Sequence, residues 1–353
     1  MTTTAPRPGT SAPDATPTGP PGRGTTPDVD TPHPSPGRTT ALTLATALAP
    51  AVWGTTYIAT TELLPADHPM FAALMRALPA GLLGLLVARR LPRGAWWWRS
   101  AVLGTLNMAI FFPLLFVAAE RLPGGVASTL GATQPILITF LAVLILSERL
   151  SRWRLAWGVV GVLGVGLVVL GPDAALDPVG IAAGILGAAS MGTGVVLTKR
   201  WGRPDDVGPV GFASWQLTAG GLVLLVPTLV VDGVPTGIDA PAVAGYAWLG
   251  LVGGLIAYSL WFAGVRSRPV TATALLGLLS PLVAAVLGAA VVGERLTPVQ
   301  LVGFALALAA LAAGQLAPRR RRPGARRSSQ PSPRRSRIDA HAPHTPTTQE
   351  VAS

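Results

Sequence analysis

Residues 134–150, QPILITFLAVLILSERL, and residues 280–296, SPLVAAVLGAAVVGERL, lie over one another at a single offset of 146. Each opens on a polar residue and a proline (Gln134 and Pro135, Ser280 and Pro281) and runs through an unbroken apolar stretch. Each closes on Glu-Arg-Leu, the glutamate thirteen residues after the proline: Glu148, Arg149, Leu150 and Glu294, Arg295, Leu296. The match extends outward. The same offset puts Gly131 over Gly277, and LG followed by FVAAERLP (Leu103, Gly104, Phe116 to Pro123) over LG followed by FAGVRSRP (Leu249, Gly250, Phe262 to Pro269). Further upstream, FAALMRALPAG from Phe71 resembles FASWQLTAGG from Phe212, and WGTT (Trp53 to Thr56) resembles MGTG (Met191 to Gly194). The order of motifs is the same in both halves, so the chain is a duplication.

What is duplicated follows from composition. Of 353 residues, 50% are apolar and 12% charged, yet the net charge is +11. A soluble globular domain carries about 25% charged residues. Residues 41–317 are nearly all Ala, Leu, Val and Gly, and a bilayer span takes about 20 apolar residues. Charge and Pro/Gly clusters divide this stretch into expected spans at 41–60, 70–88, 100–119, 123–146, 155–170, 178–198, 211–231, 242–264, 270–292 and 298–317. The expected fold is all-α and polytopic, with ten transmembrane helices.

Short loops rich in Lys and Arg stay on the cytoplasmic side. Loops 2-3 (Arg89, Arg90, Arg93, Arg99), 4-5 (Arg149, Arg152, Arg154), 6-7 (Lys199, Arg200, Arg203) and 8-9 (Arg266, Arg268) are basic, whereas the other five hold only Arg121 and Arg295. This bias puts both termini in the cytoplasm and requires an even number of spans. Tryptophans at the same span ends, Trp96 to Trp98, Trp153, Trp157 and Trp201, agree with it. Because each copy has five spans, an odd number, the second enters the membrane from the opposite face. The two copies, 41–170 and 178–317, are then inverted five-helix repeats, the plan of alternating-access carriers with a mid-membrane site between the halves.

Residues 1–40 have almost no large apolar side chain and read as a disordered cytoplasmic arm. ALTLATALA (41–49) with Ala47, Leu48 and Ala49 resembles a signal-peptide core and cleavage site, but forty residues precede it, far more than a short n-region. Residues 318–353 read as a disordered cytoplasmic tail with nine arginines from Arg319 to Arg337, a topology signal with a possible anionic-lipid contact. No aromatic residue interleaves with these arginines, which argues against nucleic acid. There is no cysteine, and His33, His68, His341 and His344 all fall outside the spans. No metal site, cofactor or imidazole relay is therefore expected in the membrane interior.

WGTT in span 1, Pro69 with Arg76 in span 2, and the duplicated proline-to-ERL pattern ending spans 4 and 9 together resemble the EamA-like branch of the drug/metabolite transporter superfamily. The resemblance covers residues 41–317. It implies a bacterial inner-membrane carrier, commonly an exporter of amino acids, related metabolites or drugs.

Arg76 is the only basic residue well inside a span, and its repeat partner is Leu217. A charge at a helix centre costs about 2.5–3.5 kcal/mol on insertion scales and usually faces a bundle interior or cavity. A guanidinium there fits a substrate carboxylate; snorkelling to the outer interface, or bonding a neighbouring backbone carbonyl, is the plainer alternative. Glu62, Glu120, Glu148 and Glu294 lie at or beyond span ends, and no acid lies mid-span, so a buried carboxylate relay is not expected. Glu148 and Glu294 read as helix-end anchors. Trp53, Tyr57, Asn107, Gln134, Trp215, Gln216, Tyr258, Trp261 and Ser280 are polar or amphipathic positions within spans, and Phe112 is the repeat partner of Tyr258. In lipid such groups face other helices or a cavity, and as a set they outline an apolar pocket with a few donors. Pro135 and Pro281 interrupt hydrogen-bond ladders and are candidate hinges, while Gly180/Gly184 and Gly250/Gly254 let helices approach closely.

The expected function is export of a small amphipathic metabolite or drug by alternating access. A passive channel or scaffold is the alternative. An intramembrane lipid-modifying enzyme is a weaker one, since HExxH, GxSxG, an Asp-rich loop and membrane-embedded His or Cys are all missing; there is no catalytic candidate.

Overall fold

The computed structural model describes residues 36–122, 127, 130–169, 177–292 and 297–316, and among these there is helix and connection but no strand. The chain divides after Leu44; the packing described below is that of the larger unit, Ala45–Ser353. The second ERL copy at 294–296, the C-terminal arginines and most of the N-terminal arm lie outside the described residues. Helix begins at Pro36 rather than at residue 41, so the last residues of the expected disordered arm are helical. Proline suits a first helical turn, where its missing N–H loses no partner.

Among the described residues, eight helices are long and apolar enough to cross a membrane: α1 (Thr39–Leu63), α2 (Pro69–Ala88), α3 (Trp96–Arg121), α6 (Pro178–Trp201), α7 (Pro209–Asp232), α8 (Ala240–Ser267), α9 (Val270–Val291) and α10 (Pro298–Gln315). Between α3 and α6 lie a shorter apolar helix, α4 (Leu130–Leu146), and α5 (Arg152–Val169). The long helices cover the expected spans and overrun several of them, since charged residues such as Lys199, Arg200 and Arg266 occupy last turns, where they suit the helix dipole.

Helix ends show how this sequence starts and stops its segments. Asp177 opens α6 by accepting N–H bonds from Val179 and Gly180, Asp239 opens α8 by accepting from Ala242, and Thr297 with Gln300 forms a capping box at α10. A proline follows at the first or second position in each. The start of α2 is capped from a distance. Asp232, at the end of α7, accepts the N–H groups of Met70 and Phe71 at 2.6 and 3.1 Å, and Thr228 Oγ1 donates to Met70 O. At the other end of the bundle, Lys199 Nζ donates to the carbonyls of Arg266 and Arg268, both at 2.8 Å, and Arg200 donates to Ile145 O. Glu148 follows the end of α4, its N–H bonded to Ala142 O.

Among the described residues α1, α3, α4, α8 and α9 are irregular, and most of these irregularities have a sequence cause or mark a close approach. α1 breaks at Gly54 and Thr55. α3 and α8 each contain a π-helical stretch, Thr105–Ile110 and Trp248–Ile256; the first lies just ahead of Pro113, which has no N–H to give Ala109 O. In α9 the helix stops at Leu276 and restarts at Leu279, because Pro281 cannot donate to Gly277 O, which takes the Ser280 N–H at 3.1 Å instead. In α4, Pro135 likewise cannot donate to Gly131 O, and a turn at Thr133 precedes a fresh segment, Gln134–Leu146. The two prolines therefore start new segments after a break, where the sequence had implied a kink inside one continuous helix.

Small residues set the closest approaches. A Cβ on Gly180 or Gly184 would stand 2.7 and 2.6 Å from Leu122 and Leu130 side-chain carbons, and one on Gly250 or Gly254 would stand 3.2 and 3.0 Å from the carbonyls of Met75 and Arg76. Both glycine pairs act as the expected contact points. The Met75 carbonyl is available because Pro79, four residues on, has no N–H to offer it.

Candidate functional site

The four residues of WGTT each do something different at the break in α1. The Trp53 indole donates to Gly253 O in the π-helical stretch of α8 at 2.9 Å. Gly54 abuts the backbone of α9, where a Cβ would stand 2.6 Å from Ser280 O. Thr55 Oγ1 donates to Val52 O and accepts from the Trp248 indole at 2.8 Å. Thr56 Oγ1 accepts from Arg76 at 3.2 Å.

Arg76 does not snorkel. It is 1% exposed, held by Nη1 to Thr56 Oγ1 and by Nη2 to Gly253 O at 3.4 Å. Its guanidinium carbon stands 4.7 Å from the centre of the Phe112 ring. A desolvated cation over a ring gains about 2 kcal/mol, while burying an ion costs several. Arg76 Nε has no hydrogen-bond partner among the described residues.

Arg76 lines a cavity of about 90 Å³, room for about six waters at roughly 15 Å³ each. α1 contributes Trp53, Thr56 and Tyr57; the broken stretches of α4 and α9 contribute Gly131, Gln134 and Pro135, and Gly277, Ser280 and Pro281. The rest of the wall is apolar or small: Phe111 and Leu115 of α3, Gly184, Gly187 and Met191 of α6, and Trp261 of α8. Of the residues singled out in the sequence, Arg76, Trp53, Tyr57, Gln134, Trp261, Ser280, Pro135 and Pro281 meet here.

The others do not line the cavity. Asn107 and Gln216 are fully buried and bonded to each other, Nδ2 to Oε1 at 2.8 Å, tying α3 to α7. Phe112 and Tyr258 stand behind the wall: Phe112 lies under Arg76, and the Tyr258 ring is 4.8 Å from Trp53 and 5.9 Å from Phe112. The hydroxyl of Tyr258 and the indole N–H of Trp261 are buried without a partner among the described residues. Trp215 donates to Arg90 O beside Trp96 and Phe212. Sequence reasoning missed Thr56, Gly253 and the small-residue face of α6; the run of Gly and Ala at 180–194 was the available signal.

A bundle of membrane-crossing helices, several broken around a cavity that holds one buried charge, is the build of a membrane transporter. The chain belongs to the EamA-like transporter family, which matches residues 40–170 and 178–313. It is a transporter and not an enzyme. Protein PecM of Dickeya dadantii is 43% identical over 263 residues, 74% of this chain and 88% of its own. The uncharacterized inner membrane transporter YedA of Escherichia coli K12 is 26% identical over 260 residues, 70% of this chain and 82% of its own. A protein crystal structure 18% identical to this chain superposes on 78% of it and 98% of its own length with a TM-score of 0.65, a likeness of fold alone.

Proposed function

We propose that the chain is a ten-span secondary transporter of the bacterial inner membrane. It exports a small amphipathic metabolite, an amino acid or related compound, or a drug, by alternating access between inverted repeats 41–170 and 178–317. In this reading α4 and α5 are spans alongside the eight longer helices, and both termini are cytoplasmic, as the loop arginines imply. The Arg-rich tail rests near anionic lipid headgroups. The cargo binds among Arg76, Trp53, Tyr57, Gln134, Trp261 and Ser280. Asn107, Gln216, Phe112 and Tyr258 shape the site from behind, and the breaks before Pro135 and Pro281 are its hinges.

Reciprocal contacts support the inverted duplication. A Cβ on Gly54 would meet Ser280 and Val283, and one on its repeat partner Gly192 would meet Gln134 and Leu137, the partners of those two. A Cβ on Gly104 would meet the carbonyl of Gln216, and one on its partner Gly250 would meet that of Met75, the partner of Gln216. A two-fold axis requires such exchange, residue i on j and j on i. The π-helical stretches of α3 and α8 also overlap at the offset of 146.

The observation that carries the export reading is Arg76, buried without a counter-ion among the described residues in a cavity framed by two broken helices. Its test is efflux of labelled amino acids and a wider metabolite screen from cells expressing wild type, Arg76→Lys and Arg76→Ala. Efflux is expected to fall in the order wild type, Lys, Ala. Equal efflux at equal membrane abundance would remove Arg76 from the site.

A further inference from the structure

The cavity holds one full charge, and nothing in its wall neutralises it. Arg76 is the only ionised side chain among the described lining residues, and none of the described ion pairs involves it. Two of its five N–H groups are engaged, by Thr56 and Gly253. The Nε–H and an adjacent Nη–H remain, the pair a carboxylate takes with two parallel bonds. The titratable groups beside it are the phenols of Tyr57 and Tyr258, and no Asp or Glu lies in the middle of any apolar stretch. Among the described residues lining the cavity there is thus no carboxyl to take up and release a proton, as coupled carriers use; Glu120 lies in the last turn of α3, outside that lining. The rings of Trp53, Tyr57, Phe111 and Trp261 line the remaining space and favour a flat apolar body.

We infer that the cargo is a small organic monoanion, a carboxylate on a planar apolar body, and that the membrane potential alone drives it out. The inference rests on reading the chain as an exporter through this cavity, and it deepens that reading. The bound carboxylate takes up free N–H groups of Arg76 and neutralises it in the cavity, and its release on the far side moves one negative charge per cycle. A cell interior that is electrically negative expels an anion, with about a tenfold concentration ratio for each 60 mV.

The test uses purified full-length protein in liposomes loaded with labelled phenylpyruvate (anion), phenylalanine (zwitterion) or phenyltrimethylammonium (cation), under a potassium diffusion potential set by valinomycin. Phenylpyruvate is expected to leave under an inside-negative potential of about 120 mV toward a roughly 100-fold gradient. Reversing the potential should reverse the flow, and collapsing the pH gradient should leave its rate unchanged. Arg76→Lys, which keeps the charge, should retain the potential dependence at a lower rate, and Arg76→Gln should lose most phenylpyruvate transport. Movement of phenylalanine at a rate indifferent to potential, with phenylpyruvate retained, would overturn the inference and leave the carrier standing. Phenylpyruvate flow that follows the pH gradient would also overturn it. Movement of none of the three would overturn both readings.

Discussion

Replacing Gly54 by alanine adds one methyl group at a close approach of α1 to α9. The new Cβ would stand 2.6 Å from the Ser280 carbonyl oxygen and 2.7 Å from Val283 Cβ. The first obstacle is backbone, which cannot rotate away, so the two helices must move apart. Overpacking of this kind costs about 1–3 kcal/mol, and each kcal/mol lowers the melting temperature of a chain this size by a few degrees. The same shift pulls Thr56 and Trp53 away from Arg76 and Gly253 and should lower transport as well as stability. Gly192→Ala is the control. Its Cβ would come no closer than 3.3 Å, to the flexible end of Leu137, and alanine is the better helix former by up to about 1 kcal/mol, so stability should hold or rise slightly. Thermal unfolding in detergent, followed by tryptophan fluorescence, measures both. If Gly54→Ala melts at or above the wild-type temperature while Gly192→Ala melts well below it, the assigned packing is wrong.

Three further outcomes follow from the polar contacts. Asp232→Ala removes the remote cap of α2 and should cost about 0.5–2 kcal/mol, with hydrogen exchange accelerated at the Met70 and Phe71 amides and unchanged protection there counting against the cap. Asn107→Leu leaves Gln216 buried and unpaired and should cost about 1–3 kcal/mol, whereas the double change with Gln216→Leu should recover most of it; additive losses in that cycle would show the two amides do not act as a pair. At Asp177, the Gly180 and Val179 amides and Arg121 hold the carboxyl below its ordinary value against partial desolvation. Its capping contribution is therefore fully present above the unfolded value near about 4 and is lost as pH falls through the lower folded one. Exchange at Val179 and Gly180 should rise only on acidification below about pH 4, and Asp177→Asn should remove that rise.

Much of this was legible because the membrane simplifies the code. Apolar stretches of span length, punctuated by arginine, gave the long helices, and a charge at Arg76 in such a stretch pointed at the cavity. The duplicated Gln134-Pro135 and Ser280-Pro281 pairs pointed to two of its walls. What stayed hidden depended on contacts distant in sequence. Asp232 caps the Met70 amide 162 residues before it, and nothing local distinguishes it from any loop aspartate. Asn107 and Gln216 read as pocket donors, yet they bond to one another across 109 residues. The π-helical stretch that presents Gly253 O has no local signature, so the acceptor shared by Trp53 and Arg76 was out of reach. Pro135 and Pro281 read as kinks, since the sequence cannot tell a bent ladder from one broken and restarted.

The chain has no cysteine, which makes the central claim directly measurable. Ser280→Cys places one thiol in the cavity, and a membrane-impermeant maleimide is applied to right-side-out and inside-out vesicles. The account predicts labelling from both faces, because each half opens the site in turn, with saturating cargo slowing both reactions. A thiol that labels from one face only, or from neither in folded protein, would contradict alternating access through this cavity.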